Sequence, residues 1–203
     1  MRVKVCGITT PEDAALAADL GAFAIGLVFW PLSPRCVARE VARRVVQALP
    51  AGVESIGVFV DQSPADVRAI ADEVGLTAVQ LHGGERVTEY ERSARLVVKA
   101  VAMRGGDDVR TAVELPAPVL ALLDAHDPVR RGGTGQTIDW TLASEVARVR
   151  PVVLSGGLRP ENVAAAGRAV RPYAMDVSSG VEAAPGRKDP AKLRAFFAAV
   201  RSI

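Results

Sequence analysis

Short apolar runs alternate with longer amphipathic stretches from one end of the chain to the other. The runs RVKVC (2–6), AFAIGLVF (22–29), SIGVFVD (55–61), AVQLH (78–82), LVVKAV (96–101), PVLALLD (118–124), PVVLSG (151–156) and YAMDVSS (173–179) read as strands. The amphipathic stretches 11–20, 37–49, 64–74, 87–94, 107–113, 140–149, 160–169 and 189–200 read as helices. Thr10-Pro11, Ser63-Pro64 and Asp189-Pro190 each supply a capping oxygen followed by a proline suited to the first helical turn.

Strands that alternate with helices pair in parallel. Continuous Val, Ile and Leu runs fit strands covered on both faces. Eight such units close as a (β/α)8 TIM barrel, and 203 residues lie near the lower size limit of that fold. An open doubly wound sheet is the alternative, and the count of eight favours the barrel. Residues 1–203 read as one domain, with no linker or low-complexity segment.

Composition narrows the classes. Hydrophobic residues make up 49% and aromatic ones only 4%, so the core must be aliphatic. A net charge of +2 without a basic stripe argues against a nucleic-acid partner. No apolar run approaches the roughly 18 residues of a membrane helix. The chain opens directly on a strand pattern without a leader, so a cytoplasmic location is expected. Two cysteines, Cys6 and Cys36, do not make a disulfide framework. With no CxxC pair and only His82 and His126 as histidines, no metal site is expected.

In a barrel the site lies at the C-terminal ends of the strands. Polar residues gather there: Cys6, Asp61, His82, Asp124, Ser155 and Asp176. One polar strand end is usually a satisfied core group, but a whole set is costly to bury without purpose. Strand alternation puts Lys4 and Cys6 on the barrel-facing side, Val3 and Val5 on the other. An ammonium beside the thiol would favour the thiolate. A small buried hydrophobe is an equally good reading of Cys6 on position alone.

Gly156-Gly157 after the seventh strand and Ser178-Ser179-Gly180 after the eighth offer free amides near helix starts, an arrangement that suits a phosphate. GGTG at 132–135 lacks the GK[ST] ending of a nucleotide-binding P-loop and reads as a lid, wall or loop, and 126–137 is the candidate mobile segment. Arg35 in the SPR loop is either a carboxylate fork or a solvated arginine. Asp61, Asp124 and Asp176 are all candidate acids, and position does not choose among them. His82 and His126 are candidates for proton transfer or for structural hydrogen bonds. Lys99 lies where a Schiff-base lysine of an aldolase-like barrel would lie.

With KVCGIT, GLVFWPLSPR, GVFVDQ, VQLHG, LLDA, GGTGQTIDW, LSGGLRPENV, DVSSGVE and PGRKD in this order, the chain resembles the phosphoribosylanthranilate isomerase family of tryptophan biosynthesis from residue 4 to residue 189. The resemblance implies a cofactor-free Amadori rearrangement of a small phosphorylated substrate, N-(5-phosphoribosyl)anthranilate, to 1-(2-carboxyphenylamino)-1-deoxyribulose 5-phosphate. It implies Cys6 as general base, Asp124 as general acid and Arg35 on the anthranilate carboxylate. The backbone around Gly156, Gly157, Ser179 and Gly180 would hold the phosphate, and His82, Asp176 and Ser178 would also touch substrate. A monomer or a homodimer is expected. Cys36, Gln136 and Gly84 depart from the usual family residues, and Cys36 is a candidate second thiol near Arg35. The other readings are an imine-forming lyase using Lys99 or Lys4, and an inert sugar-phosphate binder. Cys6 argues against the related bifunctional isomerase that relies on paired aspartates.

Overall fold

The computed structural model describes residues 1–90, 95–125 and 137–203. Eight parallel strands close into a barrel in chain order: β1 (Arg2–Cys6), β2 (Ala24–Val28), β3 (Glu54–Phe59), β4 (Ala78–Leu81), β5 (Leu96–Ala102), β6 (Leu120–Asp124), β7 (Val152–Leu154) and β8 (Ala174–Val177). Pairing of β1 with β8 completes the ring and sets Lys4 beside Asp176.

Among the described residues seven α-helices surround it: α1 (Pro11–Asp19), α2 (Arg39–Ala48), α3 (Pro64–Val74), α4 (Gly106–Val113), α5 (Trp140–Ala147), α6 (Val163–Val170) and α7 (Pro190–Arg201). The three expected caps form. Thr10 Oγ1 accepts from the Asp13 amide, Ser63 Oγ from that of Asp66, and Asp189 Oδ1 from those of Ala191 and Lys192. Each cap satisfies amides that the helix itself leaves unpaired.

Two expected helices differ. The stretch 87–94 contributes a single 3₁₀ turn, Val87–Glu89, and 91–94 lie outside the described residues. The stretch 160–169 starts at Val163, because Asn162 folds the preceding residues into a turn. Its Oδ1 accepts from the Arg159 amide at 2.8 Å and its Nδ2 donates to the Gly157 carbonyl at 2.9 Å. Beyond β8 the chain also forms an element that the alternation of runs did not predict. A two-stranded antiparallel hairpin, β9 (Glu182–Ala184) and β10 (Arg187–Lys188), turns through Pro185-Gly186.

The strands divide their residues by parity. Val3, Val5, Ile25, Leu27, Val97 and Val101 join the helices in one continuous outer core. Val98, Leu122, Val153 and Ala174 fill the barrel interior, with Ala24, Ile56 and Ala78 in a separate cluster and Cys6, Val28 and Val58 in another. Each buried Val, Leu or Ile is worth roughly 1.5–3 kcal/mol against exposure. Interior positions nearest the C-termini are polar on β1, β4, β6 and β8 (Cys6, Gln80, Asp124 and Asp176) and apolar on β2 and β3 (Val28 and Val58).

Candidate active site

At that end the barrel opens into a cavity of about 730 Å³. One wall is apolar, built by Val28, Trp30, Val58 and Val60 around the ends of β2 and β3. The facing wall carries His82, Asp124, Ser155, Asp176 and Ser178. A shallow annex of about 20 Å³ continues it between Gly156-Gly157-Leu158 and Ser178-Ser179. The whole is therefore a slot for a flat ring at one end and backbone-lined at the other.

Cys6 closes β1 and faces this cavity, as strand parity required. Its register partner on β2 is Gly26, where a Cβ would fall 2.7 Å from Sγ. The glycine is what leaves room for the thiol. Lys4, one step below on the same face, reaches Asp176 Oδ1 at 3.0 Å, with both side chains buried. Lys4 favours the thiolate as expected, but burial outweighs it. Burial pushes the Cys6 thiol up; Lys4 pulls it down, Asp176 pushes it up again and Lys188 pulls it down, with a net rise.

The three aspartates have different surroundings. Asp61 sits in the left-handed backbone region (φ 54°) and its Oδ1 accepts from the Gly84 amide, outside the cavity wall. Asp176 is held by Lys4. Asp124 lies in the wall, with Oδ1 accepting from the Ala125 amide at 2.9 Å and Oδ2 lying 3.2 Å from His82 Nε2. His82 Nδ1 in turn meets Gln80 Nε2 at 2.9 Å, a partner that the sequence did not single out.

Arg35 lines the cavity, and one edge of its guanidinium is already occupied. Nε and Nη2 donate to Glu182 Oε1 and Oε2 at 2.9 and 2.7 Å. The same carboxylate accepts from Lys188 Nζ at 2.9 Å, and Lys188 also donates to the Ser178 carbonyl. Burial lowers the Lys188 pKa more than Glu182 restores it. Glu182 ends below the usual carboxylate range, because Arg35 and Lys188 outweigh its burial. The hairpin is thus pinned across the mouth, with Ala183, Ala184 and Pro185 in the cavity wall. The Pro-Gly pair flanked by Glu182 and Lys188 was the available signal for this turn.

The glycines act in different ways. Gly156 (φ 81°) and Gly157 (φ 61°) adopt backbone open to glycine, and a Cβ on Gly156 would press on the Ala125 amide. Gly180 sits behind the annex, where a Cβ would overlap the Leu158 carbonyl, so it locks the two backbone loops together.

Lys99 is corrected. It shares the parity of Val97 and Val101, whose side chains belong to the outer core, and its ammonium donates to Gly83 O and Glu85 Oε2 at 2.6 and 2.8 Å. It does not reach the cavity. Lys4 is likewise committed to its ion pair. Cys36 is exposed and lies outside the cavity wall. His126, the GGTG segment and Gln136 lie outside the described residues.

A closed parallel barrel with an acid, a thiol and a glycine-lined annex on its C-terminal face is an enzyme of the phosphate-binding barrel class. The family model of N-(5'-phosphoribosyl)anthranilate (PRA) isomerase matches residues 3–199. The chain is 48% identical to the N-(5'-phosphoribosyl)anthranilate isomerase of Pseudomonas aeruginosa over 203 residues, covering 100% of this chain and 96% of that one. It matches the crystal structure of phosphoribosyl anthranilate isomerase from Thermotoga maritima with a TM-score of 0.92 at 42% identity, both chains covered in full. A phosphoribosyl anthranilate isomerase solved with reduced 1-(o-carboxyphenylamino)-1-deoxyribulose 5-phosphate matches at 0.89 and 41%, again over both full chains. The chain belongs to the N-(5'-phosphoribosyl)anthranilate isomerase family. It is the isomerase of tryptophan biosynthesis that converts N-(5-phosphoribosyl)anthranilate to 1-(2-carboxyphenylamino)-1-deoxyribulose 5-phosphate.

Proposed function

We propose that this rearrangement runs through Asp124 as general acid and Cys6 as general base. The supporting observation is that both side chains face one cavity, between an apolar ring slot and a glycine-lined annex. The anthranilate ring lies against Val28, Trp30 and Val58, its carboxylate on the free edge of Arg35. The phosphate lies on the backbone of Gly156, Gly157, Ser178 and Ser179, close to where the Gly180 packing locks the two loops.

Asp124 gives its proton to the ribose ring oxygen. The C1–O bond breaks with its electron pair moving to that oxygen, and the nitrogen lone pair closes a C=N iminium. Cys6, as thiolate, then takes the C2 proton. The C2–H electrons form the C1=C2 bond, and the iminium electrons return to nitrogen. Proton transfer from the 2-hydroxyl and to C1 converts the enolamine to the aminoketone. The iminium is itself the electron sink. Its positive charge also lowers the thiol pKa, which burial holds up. A positioned acid or base contributes on the order of 100- to 10,000-fold.

A reducing compartment, the cytoplasm, suits a base that must remain a free thiol. The test is decay of phosphoribosylanthranilate fluorescence with the purified chain. Decay at the spontaneous rate would refute the assignment.

A further inference from the structure

Gln80 and His82 lie two residues apart on the barrel-facing side at the C-terminal end of β4, and both line the cavity. The Gln80 side chain is fully buried; its Nε2 faces His82 Nδ1 at 2.9 Å, and its Oε1 has no partner among the described residues. An amide NH2 only donates, so the ring nitrogen facing it must accept. The proton of a neutral imidazole is then on Nε2, which points at Asp124 Oδ2 3.2 Å away.

We propose that Gln80 is a positioning residue that holds His82 in the Nε2–H tautomer, so that His82 donates a hydrogen bond to Asp124. The inference rests on Asp124 being the acid. When Asp124 passes its proton to the ring oxygen, a carboxylate is left behind, and the His82 Nε2–H is already aimed at it. That hydrogen bond is stronger to the carboxylate than to the protonated acid, so it assists proton release. Gln80 accounts for the tautomer: its donor bars a proton from Nδ1.

The experiment is ¹⁵N imidazole NMR of the full chain, with a His82→Asn sample to separate the two histidines. The wild type is expected to show a protonated Nε2 and an unprotonated Nδ1. Gln80→Glu places an acceptor at Nδ1 and should invert the tautomer. Its kcat should fall roughly 10- to 100-fold, as for loss of one hydrogen bond to a charged group, with KM within about threefold. Gln80→Met, which keeps the volume without a buried charge, should give a mixture of tautomers and an intermediate kcat. A wild-type Nδ1–H tautomer, or an inverted tautomer with unchanged kcat, would overturn the proposal. The NMR readout requires no turnover, so it stands apart from the Asp124→Asn test of the acid itself.

Discussion

Lys4 and Asp176, side by side in register on β1 and β8, form a buried ion pair of 3.0 Å directly beneath Cys6. Lys4 still pulls the thiol pKa down, while its partner Asp176 pushes it up. With burial added, the thiol pKa rises. The alkylation rate of Cys6 should therefore rise with pH through a midpoint above that of an ordinary cysteine, about 8.5. Iodoacetamide labelling read by mass spectrometry across pH distinguishes Cys6 from Cys36. A midpoint below 8 would show that Lys4 outweighs burial.

Asp124→Asn removes the transferable proton and keeps the shape. The expected kcat is lower by on the order of 100- to 10,000-fold, with an unchanged circular dichroism spectrum. Cys6→Ala should behave alike. Near-normal kcat in either folded variant removes that residue from its role.

Gly26→Ala tests the room made for the thiol. A Cβ would lie 2.7 Å from Cys6 Sγ and 3.0 Å from Cys6 Cα. Overpacking of this kind costs about 1–3 kcal/mol. Because the strain falls on Cys6, kcat should drop while the variant still melts cooperatively. Stability lost with kcat intact would mean that the thiol tolerates displacement.

Glu182 carries a pH dependence of stability. Its folded pKa is lowered, by Arg35 and Lys188 against the opposing effect of burial, below an unfolded value of about 4.3. The folded state then binds fewer protons, so its stabilisation is present above that value and is lost as pH falls through the folded pKa. Thermal melts between about pH 6 and pH 2 should decline less steeply for Glu182→Gln than for the wild type. Parallel slopes would show that the clamp is not linked to this proton.

Lys99→Met distinguishes the isomerase from an imine-forming lyase. Lys99 belongs to the outer face of β5 and is bonded to Gly83 and Glu85. Borohydride with substrate should give no covalent adduct in the wild type, and the variant should retain turnover. An adduct at Lys99 would reopen the lyase reading.

Much of this molecule was legible in the order of its residues. Strand positions, the three proline-assisted caps and the inward face shared by Lys4 and Cys6 all follow from period and parity, which are local properties. Five of the polar strand ends, Cys6, His82, Asp124, Ser155 and Asp176, line one cavity. Tertiary structure alone decided that Asp124 and Asp176 line the cavity and Asp61 does not, that Lys4 pairs with Asp176, and that Arg35 is gripped by Glu182 from 147 positions away. It also decided that Lys99 turns outward and that Gln80 meets His82. These outcomes depend on barrel register and on desolvation by distant segments. A strand's own sequence records which face a side chain takes, but not which charge waits there.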